Sequence, residues 1–280
     1  MIINTLTHNH DLWPSGLNHT VPPPKQLHVL GELNDLPTVA VVGTRRPTDY
    51  GRSVTKAMVS EIAPFVCIVS GMAIGIDAVA HRACLDSGGK TIAILPSPLD
   101  RPYPARHAAL AKDIVNLGGA LISEYGAKAA VHRSNFIARN RIVAAIADLV
   151  LVVEADEKSG TMHTVRFANE LGKDVAAVPG SVQSIYSRGT NRLLKDGAHV
   201  VAAGEDILHL LGVKRDPNVS NSHITAPQQN VLSELSKQPM SVVLLASKLQ
   251  LSESTLRGLV TELEMENLVA RLENGMYARR

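Results

Sequence analysis

Apolar and polar positions along this chain alternate between two regimes. Short apolar runs rich in β-branched residues stand at Val39–Val42, Val66–Val69, Thr91–Leu95, Ala120–Ser123, Leu149–Glu154 and Asp174–Val178. Amphipathic stretches separate them: Arg52–Ala63, Asp77–Ser87, Ala105–Leu117, Ile137–Ala147 and Thr161–Leu171. The first set predicts buried strands and the second helices, and that alternation means a parallel sheet covered on both faces. The fold class that follows is α/β: a doubly wound, mostly parallel Rossmann-like sheet.

The flanks read differently. Residues 1–37 are polar and Pro-rich (VPPPK), with a short strand expected at Leu27–Leu30, and read as an N-terminal arm laid over a domain spanning 38–211. Residues 212–223 have the Pro, Asn and Ser chemistry of a linker. From 224 to 280 the pattern predicts three helices, the third opening at a Ser cap. A hairpin around Asn274-Gly275 follows, so this part reads as a small C-terminal winged-helix domain.

Composition narrows the function classes. In 280 residues, 45% are hydrophobic and 19% charged, and the net charge is only +2. Such a chain is globular, and a polyanionic partner must be met by a local patch rather than by an overall field. Cys67 and Cys84 lie in apolar contexts and fit reduced core thiols. The first residues lack the basic and apolar regions of a signal peptide, and no apolar run reaches the ~18 residues of a membrane helix. A cytoplasmic protein without membrane contact is the expectation.

In a doubly wound sheet, ligands bind beyond the C-terminal ends of the strands, so those loops carry the chemistry. GTRRPTDYG (Gly43–Gly51) stands where a dinucleotide loop would. Arg45 and Arg46 fill the place of its glycines, and Ser70 ends the second strand where a ribose-binding acid would stand. Both departures argue against a dinucleotide, while arginines at a helix N-terminus suit phosphate. In SGMAIGIDAVAH, Ser70 and Gly71 precede a helix whose free amides would hold an anion. Asp77 there reads as a capping residue and His81 as a hydrogen-bonded structural one, an acid–base or metal pair being the weaker alternative.

From Tyr125 through Ala147 the chain has no acidic residue but contains Lys128, Arg133, Arg139 and Arg141 around Phe136. Cations beside an aromatic ring match single-stranded nucleic acid, whose phosphates and bases they would hold. A solvated charged face with Phe136 in the core is the plainer alternative. Ser159, Gly160 and Thr161 offer hydroxyls and amides in another strand–glycine–helix turn, and Asn191 lies in a further turn assigned to the same edge.

Taken in order, VVGTRRPTDYG, SGMAIGIDAVAHRACL, LDRPYP, GGALISEY, the segment from FIARNR to AAVPG, and GTNRLLKDGAHVV resemble the DprA (Smf) family of bacterial DNA-processing proteins. The resemblance covers about residues 20–211, and the tail is similar to the winged helix of many members. It implies a non-catalytic, cofactor-free binder of single-stranded DNA that forms a homodimer through the Rossmann-like domain. Such a protein protects incoming strands in natural transformation and loads RecA recombinase. Carried over by motif, the DNA pocket falls on Arg45, Ser70, Gly71, Arg133, Phe136, Arg139 and Asn140. Ser97 and Pro98 depart from the glycines usual after the third strand, which puts a close backbone contact there in question.

Two other classes compete. A nucleotide-processing enzyme of the phosphoribohydrolase type would use SGTMHTV…NELG, but its P-G-G-x-G-T run is missing and no nucleophile–base set accompanies it. A winged-helix transcription factor would need a basic recognition helix. Here Glu253, Glu262, Glu264 and Glu266 stand against Arg257, so a protein contact, or a dimer or regulatory role, is expected for that domain.

Overall fold

A computed structural model describes residues 3–214, 226–265, 268–272 and 275–279. The chain divides into two compact units, 1–214 and 215–280. The expected linker at 212–223 falls largely outside the described residues, as do Asn274 and Glu266.

The first unit is built on a nine-stranded sheet. Its strands are β1 (Asn4–Leu6), β2 (Leu27–Gly31), β3 (Thr38–Val42), β4 (Cys67–Ser70), β5 (Lys90–Leu95), β6 (Ala120–Ser123), β7 (Leu149–Val152), β8 (Asp174–Ala177) and β9 (His199–Val200). The order across the sheet is β1-β2-β6-β5-β4-β3-β7-β8-β9, with every pairing parallel except β1–β2 and β2–β6. Residues 1–37, read from sequence as an arm, thus supply two antiparallel edge strands that extend the sheet. A 3-10 turn at Ser15–His19 also packs on the fourth helix, so closely that a Cβ at Gly16 would lie 2.1 Å from Ala145 O.

Among the described residues seven α-helices accompany the sheet: α1 (Asp49–Ile62), α2 (Ile76–Asp86), α3 (Ala108–Asn116), α4 (Arg133–Ile146), α5 (Thr161–Glu170), α6 (Arg188–Lys195) and α7 (Gly204–Leu210). Strand β3 shows why both faces need cover. Val39 and Val41 join one core with Met58 and Val59 of α1 and Ala80 of α2. Ala40 and Val42 join the other with Ile142 of α4 and Val165 of α5. Period-two alternation sends successive apolar side chains to opposite faces, so each face needs its own helical layer.

Cys67 and Cys84 are free and buried, with thiol pKa values raised to about 11 and about 12 chiefly by burial. They are inert core residues at neutral pH.

The second unit contains α8 (Ala226–Leu235), α9 (Val242–Leu249) and α10 (Glu253–Met265), then the antiparallel pair β10 (Val269–Arg271) and β11 (Tyr277–Arg279). Ser252 Oγ accepts from Thr255 N and so caps α10, as the sequence predicted. Val231, Leu245, Leu256, Val260 and Leu263 close a separate core. Three helices and a two-stranded wing make a winged helix.

Candidate functional site

Strand order reverses at β3, with β4 on one side and β7 on the other. The β3 and β7 ladder runs from Val39 with Leu149 to Val42 with Val152, so both chains leave the sheet together at Gly43 and Val153. A switch point of this kind opens a crevice outside the strand ends. Here the crevice has a volume of about 600 Å³.

Glu154 organises its rear wall. It is buried, with Oε2 accepting from Thr48 N and Oε1 from Thr48 Oγ1, which pins the start of α1. Gly51 makes room for that carboxylate, because a Cβ there would sit 2.1 Å from Oε2. Thr161 Oγ1 donates to Gly43 O and ties the β7–α5 loop to the β3–α1 loop. These clasps hold Arg45, Arg46 and Lys158 exposed at the rim.

The β4–α2 loop forms the floor. Asp77 is buried, and its Oδ2 accepts from Gly71 N and Ala73 N. Its pKa is raised by burial, against the lowering pull of nearby Arg139. Ile76 N donates to Thr44 O. Three amides around this helix start, those of Gly71, Ala73 and Ile76, are therefore already taken, the first two by a buried carboxylate that needs donors. Nor does Asp77 cap its own helix; Gly75, at φ +99°, stands at that position. His81 donates or accepts at Nδ1 with Thr91 Oγ1 at 2.7 Å, as a structural histidine should. Burial, with smaller contributions from His107 and Arg139, lowers its pKa to about 3.

Arg139 is the chief surprise among the expected contacts. It is 4% exposed and donates from Nη1 to Gly71 O and Ile94 O, and from Nε to Asn140 Oδ1. Burial lowers its pKa to about 10, which leaves it charged at neutral pH. Gly71 is needed for this packing, since a Cβ would lie 2.3 Å from the guanidinium carbon. Arg139 is better described as a buried cation beneath the crevice than as a free side chain reaching for phosphate.

Phe136 does line the crevice, half-buried in the first turn of α4. Helix α4 starts at Arg133, four residues earlier than the apolar periodicity indicated, because its first turn is polar. Asn135, on that turn, is buried and donates to Pro96 O and Ala130 O. The arginine that meets the ring comes from far away in sequence: Arg45 Cζ lies 5.7 Å from the ring centroid. Tyr103 meets the ring edge-on, with centroids 5.2 Å apart and planes at 83°. Arg133 is exposed but does not line the crevice, and Arg141 is buried in a pair with Glu124 at 2.8 Å.

Of the residues singled out from sequence, the crevice brings together Arg45, Arg46, Gly71, Phe136, Arg139, Asn140, Ser159, Gly160 and Thr161. Ser70 is buried beneath it, donating from Oγ to Val41 O. Asn191 lies outside, where its amide clasps both N and O of Gly180. Lys158 and Tyr103 were not singled out. Lys158 could have been found as the basic residue in the loop after β7, and Tyr103 as the ring within the Pro-rich loop. A Cβ at Gly160 would meet nothing within 4 Å, so no contact within the fold demands glycine there, whereas a ligand approaching the backbone would.

Among the described residues no group of His, Cys, Asp and Glu could hold a metal ion, and no helix is long and apolar enough to cross a membrane.

Comparison with known proteins agrees with this architecture. Residues 4–212 match the family DNA recombination-mediator protein A, and residues 215–275 match the DprA winged helix domain. A DNA processing protein DprA from Streptococcus pneumoniae is 38% identical over 200 residues, 71% of each chain. A DprA relative from Mycobacterium tuberculosis is 47% identical over 176 residues, which cover 62% of this chain and 44% of the relative. The chain thus spans about half the length of the first curated relatives it matches. The solved structure of the Streptococcus pneumoniae protein superposes with a TM-score of 0.70 at 36% identity, covering 74% of both chains. That of DNA processing protein A from Helicobacter pylori, described for its single-stranded DNA binding mode, gives 0.65 at 32%, covering 75% of this chain and 95% of that one. With its Rossmann-like unit and its winged helix both matched, the chain belongs to the DprA/Smf family of DNA recombination-mediator proteins.

Proposed function

We propose that this chain binds single-stranded DNA in the switch-point crevice, without a catalytic step, and delivers the strand to RecA recombinase during natural transformation. The observation that carries the reading is the pairing of Phe136 with exposed Arg45, Arg46 and Lys158 around one open crevice. A ring face takes a base, adding about 1–3 kcal/mol by stacking, while the cations track phosphates. The related Helicobacter pylori protein, described for binding single-stranded DNA, adds support. On this reading the protein acts in the cytoplasm as a homodimer. Arg139 and Asn140 hold the floor on which the strand lies, and Arg133 meets it only if the strand extends past the start of α4.

A nucleotide hydrolase would need an activated nucleophile with a base beside it. Of the two carboxylates lining the crevice, Asp77 is buried and held by two loop amides, and the side chain of exposed Asp156 accepts from Glu157 N rather than from a hydroxyl it could activate. Mobility-shift competition tests the choice. Oligo-dT should displace a bound single strand while duplex of the same length does not, and nucleoside monophosphates should remain uncleaved. Equal displacement by duplex would sink the proposal. Binding to RecA is checked separately by co-sedimentation of the two proteins on single-stranded DNA.

A further inference from the structure

The crevice does not end at Phe136. A small recess lined by Phe136, Arg45, Tyr103 and Ile74 leads from it across the β4–α2 loop. Ile74 is shared in turn with a third, open groove of about 420 Å³ between α1 and α2. Arg52, Lys56, Arg82 and Arg106 line that groove against the single carboxylate Asp86. All four cations are exposed. Among the described residues Arg82 pairs with Asp113 at 3.0 Å, while Arg52, Lys56 and Arg106 enter no ion pair. Arg52 and Lys56 stand four apart on α1, a like-charge spacing that disfavours the isolated helix. In a chain of net charge +2, such a concentration of unpaired cations serves a polyanion better than it serves the fold.

The geometry points to the α1–α2 groove as a second phosphate-binding segment for the same strand, which leaves the crevice past Tyr103 and runs on between the helices. This rests on the single-strand reading of the crevice. Continuity and charge both favour it. Stacking rings combined with a row of cations are the contacts a single strand meets on a general binding surface. Tyr103, 47% exposed at the junction, is placed to turn a base as the strand passes. The crevice then sets whether a strand binds, and the groove sets how much of it is covered.

The test is the length dependence of binding. Fluorescence anisotropy is read for oligo-dT of about 6 and about 20 nucleotides, bracketing much of the ~4–16-nucleotide range of single-strand sites. Wild type, Arg52→Gln/Lys56→Gln and Phe136→Ala are compared, the glutamines being exposed and good helix formers. The double variant should bind the short oligonucleotide as wild type does but lose about tenfold on the long one. Its salt slope there should be shallower by about 1.4, at ~0.7 per phosphate contact. Phe136→Ala should weaken both lengths. Equal loss on both lengths in the double variant, or an unchanged length gain and salt slope, overturns the groove while leaving the crevice reading intact. An unchanged length gain together with binding of poly-glutamate to wild type but not to the double variant would assign the groove to an acidic protein segment instead. Failure of wild type to bind either length overturns both readings.

Discussion

Arg45 and Arg139 carry the same side chain and do opposite work. Arg45 is exposed over Phe136, and Arg139 is buried under Gly71, bonded to two carbonyls. Arg45→Gln should therefore leave the unfolding free energy in urea within about 0.5 kcal/mol of wild type and weaken single-strand binding. Arg139→Gln should cost about 3 kcal/mol in urea unfolding, because it strips two buried carbonyls of a donor and Asp77 of its nearby cation. Equal stability of the two variants would mean that Arg139 is not built in as described. His81 supplies a pH signature. Its folded pKa of about 3 lies below the ordinary 6.5. As pH falls below 6.5 the unfolded chain takes up a proton that the folded imidazole refuses, so stability is lost at about 1.4 kcal/mol per pH unit. Asp77, with its pKa raised by burial, has the opposite sign, gaining stability as pH falls toward its ordinary 3.8. The comparison of wild type with His81→Asn in urea at pH 7, 6 and 5 isolates the imidazole: the wild-type slope should be the steeper, and parallel slopes would contradict the assignment.

Helix α1 depends on a contact no local pattern reveals. Thr48 caps it by accepting from Gly51 N, and Glu154, more than a hundred residues on, grips Thr48 at both N and Oγ1. Gly51→Ala should displace that carboxylate and cost about 2–4 kcal/mol, read from the urea midpoint, although alanine normally favours a helix. A stabilised variant would show that Glu154 has another seat. The same logic explains what was legible at this scale. The six central strands and five helices around them stand out as apolar runs with clear periods. Strands β1 and β9 are three and two residues long, and α6 and α7 eight and seven, too short to show a period. The first turn of α4 hid for a related reason: its buried Asn135 breaks the apolar pattern while bonding to a distant loop.

At the scale of the whole molecule, the strand-end edge that carries the site and the family were readable because six loops fall in order along one edge. Which side chains converge was less so. Of the three arginines near Phe136 in sequence, only Arg139 shares the crevice with it, buried: Arg133 lies outside and Arg141 pairs with Glu124. Its true neighbours, Arg45 and Tyr103, arrive from the ends of β3 and β5, and only the folded sheet sets them side by side. Single-strand binding depends, on this reading, on a ring flanked by exposed cations at a strand-end crevice. The most direct measurement is anisotropy of labelled oligo-dT and a matched duplex, for wild type and Phe136→Ala, across a salt series. Single-strand binding should be the tighter, should weaken as salt rises, and should fall by about 1–3 kcal/mol when the ring is removed. Binding by Phe136→Ala equal to wild type, or no preference over duplex, would contradict it.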